Sequence, residues 1–201
     1  MDDLTFSSYN ARGLRQLKKR RVLFSFLHRN HFDITLIQET HSCMDDEKIW
    51  QSEWGGRIFY SHGSNSSCGV CVLFKPNLNY KVLKTHLHPH GRYIVMDFQV
   101  SDMVVTLVCI YGPNRDNPHF FSSLQNILQD FHCDKVIWAG DHNFVFNLQL
   151  DKVGELQRTN FKARDYCLSI MQSLDLVDIW RERNPVGKSF TWSSNITPLS
   201  T

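Results

Sequence analysis

Between Arg57 and Tyr111 the sequence holds five strand-like runs in succession: Arg57–Ser61, Gly69–Phe74, Tyr80–Leu87, Tyr93–Val100 and Met103–Tyr111. Turn-forming residues separate most of them. No other feature constrains the fold so tightly, because that many strands so close together must build sheet. The runs read as an antiparallel meander. Further strands are expected on either side, at Leu4–Asn10, Phe32–Gln38, Lys135–Ala139 and Phe190–Ser193. Helical spacing of apolar residues predicts Arg15–Arg29, a short helix over Asp45–Trp54, a helix from Asn117-Pro118 to Phe131, and a last one over Phe161–Leu174. Asn117 before Pro118 is a cap followed by proline at the first helical position. Strands in the middle with helices around them give a layered α/β fold with a mixed sheet.

The chain has 201 residues, enough for one domain with its own core. No apolar run approaches the roughly 20 residues of a membrane span. The acidic start, Met1-Asp2-Asp3-Leu4, is not a secretory signal. The reading is therefore an intracellular protein with no membrane partner, and the sequons at Asn65 and Asn195 carry no weight. Six cysteines then read as free thiols. Cys68-Gly69-Val70-Cys71 has CxxC spacing but leads into a buried strand, so a packing role is expected. His86-Leu87-His88-Pro89-His90 reads as a strand end running into a proline turn.

Charge is placed unevenly. Residues 1–32 carry seven Lys/Arg against two Asp, a net +5, and the remainder nets −3. Arg12, Arg15, Lys18 and Lys19 follow Asn10 closely, where they suit phosphate contacts. Lys18 to Arg21 occupy consecutive helical positions, so they cannot all face one partner.

The chemistry sits where strands stop. One strand ends in Asn10, another in Gln38-Glu39, another in Tyr111-Gly112-Pro113, and another leads to Asp141-His142-Asn143. Ligand sites in α/β folds gather at such ends, because the sheet fixes each loop root. Carboxylates and amides are hard oxygen ligands, suited to Mg²⁺ or Mn²⁺ more than to zinc.

Five segments resemble the endonuclease/exonuclease/phosphatase superfamily, and within it the endonuclease domain of non-LTR retrotransposons. These are Ser8-Tyr9-Asn10-Ala11-Arg12-Gly13-Leu14, Leu36-Ile37-Gln38-Glu39-Thr40-His41, Ile110-Tyr111-Gly112-Pro113-Asn114, Trp138-Ala139-Gly140-Asp141-His142-Asn143 and Ser189-Phe190-Thr191-Trp192. The resemblance implies a four-layer α/β sandwich, two mixed sheets face to face with helices outside. It implies Mg²⁺-dependent hydrolysis of a DNA phosphodiester (Mn²⁺ as a substitute), leaving a 3′ hydroxyl that primes reverse transcription. Glu39 matches the main metal ligand and Asn10 a residue beside the metal. Asp141 matches the group that orients or deprotonates water. Asn143 and Tyr111 match groups that hold the scissile phosphate. Thr191 matches a residue near the DNA and the active site, and Arg12, from its place after Asn10, is a further expected substrate contact; His142 is expected to fill a phenyl's space in the loop, with substrate phosphate contact as the alternative. A reverse transcriptase domain is expected downstream, and nuclear access follows from the implied job.

Two departures stand out. His142 occupies a position where the family usually has Phe. The family's domain also continues past the Phe-Thr-Trp strand to an Arg/Lys-x-Asp strand and a terminal Ser-Asp-His, whereas no Asp or His follows Trp192 here. The expectation is a partial domain over residues 1–201, incomplete at its C-terminus, with a sheet edge or core face uncovered. The alternatives are an inactive remnant of such a domain and another phosphoesterase of the same superfamily.

Overall fold

The computed structural model describes residues 4–64, 66–151 and 160–191. Among the described residues, eight strands and five α-helices follow in the order β1 (Phe6–Asn10), α1 (Leu17–Arg29), β2 (Ile34–Gln38), α2 (Glu47–Trp54), β3 (Ile58–Ser61), β4 (Val70–Phe74), β5 (Lys81–Leu87), β6 (Tyr93–Val100), β7 (Met103–Tyr111), α3 (Pro118–Leu128), β8 (Val136–Asp141), α4 (Phe161–Ser173) and α5 (Ile179–Arg183). They form two four-stranded sheets, ordered β1-β2-β4-β3 and β5-β6-β7-β8. Each sheet is mixed: β1 runs parallel to β2 and β7 parallel to β8, while the other neighbours are antiparallel.

The period-2 alternation of the strands decides which residues enter which layer. Ile34 and Leu36 of β2, Val72 of β4, Met96 of β6 and Leu107 of β7 meet between the sheets. The opposite face of the first sheet, with Ile37, Cys71 and Leu73, packs on Leu23, Phe24 and Leu27 of α1 and on Trp50 and Trp54 of α2. The opposite face of the second, with Val95, Val108 and Ile110, packs on Phe121 and Leu124 of α3 and on Ala163, Cys167 and Ile170 of α4. The result is the expected four layers, helix–sheet–sheet–helix.

Several sequence expectations shift. The five runs over residues 57–111 are not one meander. β3 and β4 pair in the first sheet, and β5, β6 and β7 form a meander in the second. Alternation marks a strand but not its sheet, and the segment between β4 and β5 carries the chain across. β8 runs two residues further than expected, so Asp141 is a strand residue paired with Tyr111. Asn117 does cap α3, its side chain accepting from Phe120 N. Leu17, at helical spacing from Leu14, Phe24 and Leu27 and so expected on the apolar face of α1, instead faces solvent. The helix α5 was not expected. Phe190 and Thr191 are irregular in backbone, and the rest of the strand expected over Phe190–Ser193 lies outside the described residues.

All six cysteines are free. Cys71 is buried within β4 and Cys109 within β7, and burial pushes the Cys109 thiol up to about 12, which keeps it unreactive. His88 is packed against Tyr93 and Phe120, where burial lowers its pKa to about 4. No three His, Cys, Asp or Glu side chains gather as metal ligands among the described residues.

Candidate active site

Strands β1 and β2 are parallel, as are β7 and β8, so four C-terminal strand ends collect at one rim of the sandwich. Asn10 closes β1, Glu39 follows β2, Tyr111 closes β7 and Asp141 closes β8. The two sheets meet chemically at Asn10. Its Nδ2 donates to Glu39 Oε1 at 2.7 Å and to Asp141 Oδ2 at 2.7 Å. One amide from the first sheet thus holds two carboxylates, one from each sheet.

The rest of the network locks these groups. Asn10 Oδ1 accepts from the Arg12 backbone N–H at 3.1 Å. The Asn143 backbone N–H donates to Asp141 Oδ1 at 2.9 Å, so both Asp141 oxygens carry a donor. Asn143 Nδ2 donates to Gly112 O at 2.7 Å, and Arg92 Nη1 donates to the same carbonyl at 3.1 Å. The Arg92 guanidinium lies over the Tyr111 ring, 5.0 Å from its centroid. Burial, reinforced by the negative charge of Glu39, pushes the Tyr111 hydroxyl up to about 12. That phenol therefore stays protonated at neutral pH and keeps its donor.

Local backbone geometry serves this placement. Arg12, Glu39, His41, Cys68 and Asn143 all adopt positive φ, a conformation that costs a non-glycine residue unless its surroundings impose it. Gly112 is required: a Cβ there would stand 2.3 Å from His142 O. Gly140, at φ 143°, would drive a Cβ to 2.1 Å from Ile110 O.

Five expected site residues, Asn10, Glu39, Tyr111, Asp141 and Asn143, thus lie together. Arg12 sits at the rim, exposed, on the turn after β1. Thr191 is exposed and makes no hydrogen bond among the described residues. His142 lies with its ring against Trp138, Phe144 and Phe146, where burial lowers its pKa to about 4 despite the opposing pull of Asp141 and Asp178. An uncharged aromatic ring in that nest does what a phenyl does. Arg20 of the basic run is buried and holds the carbonyls of Leu14 and Arg15 and the Glu53 carboxylate. Arg92 was missed by the sequence reading. Its only signal was a lone Arg in a Gly-Arg-Tyr turn before β6. His41 is a second neighbour, its Nε2 3.9 Å from Glu39 Oε2.

The donor chemistry fits a hard divalent cation. Glu39 and Asp141 share a single amide donor, and among the described residues no Lys or Arg pairs with either. Two carboxylates held close without a cationic side chain repel each other, and a bound ion relieves that repulsion.

Comparison with known proteins agrees with this architecture. Residues 7–169 match the Endonuclease/Exonuclease/phosphatase family. The chain is 30% identical over 196 residues to an uncharacterised 149 kDa protein of transposon TX1 from Xenopus laevis. The match takes in 94% of this chain but about 14% of that protein's length. The fold resembles the AP endonuclease LMAP of Leishmania major, with a TM-score of 0.77 and 19% identity over 96% of this chain and 73% of that one. It also resembles the endonuclease domain of TRAS1, a telomere-specific non-LTR retrotransposon, with a TM-score of 0.58 and 15% identity over 84% and 70%. With the family match running from β1 into α4 and the paired sheets shared by these structures, the chain belongs to the Endonuclease/Exonuclease/phosphatase family.

Proposed function

We propose that this rim hydrolyses a phosphodiester of DNA with a bound divalent ion, Mg²⁺ or Mn²⁺, making the strand nick that opens a retrotransposon target site. The observation that carries the reading is the Asn10 amide tying Glu39 to Asp141 across the two sheets, with Asn143 and Tyr111 alongside.

Glu39 would hold the ion, with Asn10 beside it. When bound, the ion supplies charge neutralisation at the scissile phosphate and its leaving oxygen. Asp141 takes a proton from the attacking water, its carboxylate aimed by the Asn10 amide and the Asn143 N–H. The Asn143 amide and the protonated Tyr111 hydroxyl donate to phosphate oxygens, which a phenolate could not do. Arg12 contacts the flanking backbone and Thr191 is a further substrate contact, whereas His142, packed against Trp138, Phe144 and Phe146, supports the loop from inside and does not reach the substrate. Residues 1–201 act as one domain of a longer element protein, with a reverse transcriptase domain downstream and access to the nucleus. The transposon relative of far greater length supports that setting.

The test is a supercoiled-plasmid assay. Nicking in Mg²⁺, abolished by chelation and by Glu39→Ala or Asp141→Ala, is the expected result. A plasmid left intact, beside release of phosphate from phosphomonoesters, would move the chain to the phosphatase side of its family. Silence on every substrate would mark an inactive remnant.

A further inference from the structure

Glu39 lies in a turn that its own sequence does not favour. Glu39 and His41 both sit at positive φ, 52° and 55°. Backbone bonds tie the turn on two sides. Gly13 N donates to Glu39 O at 2.6 Å and Leu14 N to Thr40 O at 2.9 Å, while Thr40 N donates to Gly69 O at 2.9 Å and His41 N to Cys68 O at 3.0 Å. A third tie runs through side chains.

Thr40 and Ser42 are fully buried, their hydroxyls 3.0 Å apart. Ser42 Oγ lies 2.9 Å from His62 Nδ1, and His62 Nε2 lies 2.8 Å from Glu47 Oε1. His62 follows β3, and its ring stacks on Tyr60 at 5.3 Å and 22°. Glu47 opens α2, with its side chain 45% exposed. The chain of bonds therefore starts at the surface and ends one residue from Glu39.

Its polarity follows from the donors. The Glu47 carboxylate only accepts, so His62 Nε2 carries the proton. In the neutral ring Nδ1 accepts from the Ser42 hydroxyl, which accepts from Thr40; in the imidazolium the same bonds run with the opposite polarity. Serine, histidine and a carboxylate in one line can serve as nucleophilic machinery. Here the serine has no exposed surface, so no substrate reaches it.

We infer that Glu47, His62, Ser42 and Thr40 form a positioning brace that holds the Glu39 turn in its metal-binding conformation. The inference rests on the proposed function for its effect on catalysis, though not for its effect on the turn. None of the four touches substrate. They act through the backbone of Glu39, as outer partners of a metal ligand do.

The experiment compares Ser42→Ala, His62→Ala, Glu47→Ala and Glu47→Gln by three measurements. Glu47→Gln keeps an acceptor for His62 Nε2–H and loses only charge. In metal-free protein, amide exchange at Gly13, Thr40 and His41 is expected to quicken in the three alanine variants and to stay at the parent rate in Glu47→Gln. Mn²⁺ affinity by calorimetry should fall about tenfold in the alanine variants, and kcat for nicking should fall similarly with KM within about twofold. Should His62→Ala fail to fold, Ser42→Ala carries the test, since it removes one oxygen. Unchanged exchange in Ser42→Ala overturns the brace. Equal losses in Glu47→Gln and Glu47→Ala overturn it too, because charge rather than hydrogen bonding would then matter. If the parent neither binds Mn²⁺ nor nicks DNA, the proposed function fails, and the exchange rates still decide the brace.

Discussion

The two carboxylates of the site ride on unlike supports. Glu39 follows β2, which is buried at all five positions, flanked on both sides by strands and covered on both faces. Asp141 closes β8, which is half-buried at all six positions and, among the described residues, has β7 as its one strand neighbour. The first is held by the core. The second is held by hydrogen bonds at its own oxygens. One half of the site draws its precision from packing and the other from local polar contacts, and the two should respond differently to substitution.

The largest effects ignore that difference. Glu39→Ala and Asp141→Ala should each lower kcat for plasmid nicking on the order of 10³-fold, since each removes a group to which the proposed function assigns a part at the reacting atoms. A much milder loss at Asp141 would remove it from the role of base. Next comes the difference itself. Leu36→Ala in β2 should cost about 3 kcal/mol of unfolding free energy and Ile137→Ala in β8 about 1 kcal/mol, because only the first leaves a fully enclosed cavity. Urea denaturation measures both, and equal costs would break the comparison. Asn10→Ala should then lower kcat about 10-fold to 100-fold while the melting temperature moves little, as expected for an outer partner orienting two functional groups.

The smallest effect is in pH. His142 is neutral when folded, its pKa lowered from 6.5 to about 4 by burial. The unfolded chain therefore binds a proton first as pH falls, and stability drops from about pH 6.5 towards pH 4. His142→Phe should lose less stability over that window than the parent, measured by melting at pH 7.5 and pH 5. It should still lose some, because His88 titrates in the same way.

Much of the candidate site could be read from the sequence because its polar side chains stand where strand-like runs stop. Asn10, Glu39, Tyr111 and Asp141 are each the first chemistry-bearing residue where a strand stops, and parallel pairing then brings those ends to one rim. What stayed hidden depends on contacts between distant segments. Nothing around His62 hints that it reaches Ser42, since loop geometry alone brings them together. Arg20 reads as one more charge on a helix face, yet it is buried on the carbonyls of the preceding turn. Arg92 gains its place only because β6 begins beside the end of β7. The division of strands between sheets was equally hidden, because alternation reports two faces without saying what covers them.

The Asn10 amide has a consequence for how this molecule would fail. One nitrogen bonds at once to carboxylates from both slabs of the sandwich, at the candidate site. Sliding the slabs by an ångström or two would leave the interior largely intact yet pull those bonds open. Turnover should thus vanish under heat or pressure before the fold itself gives way.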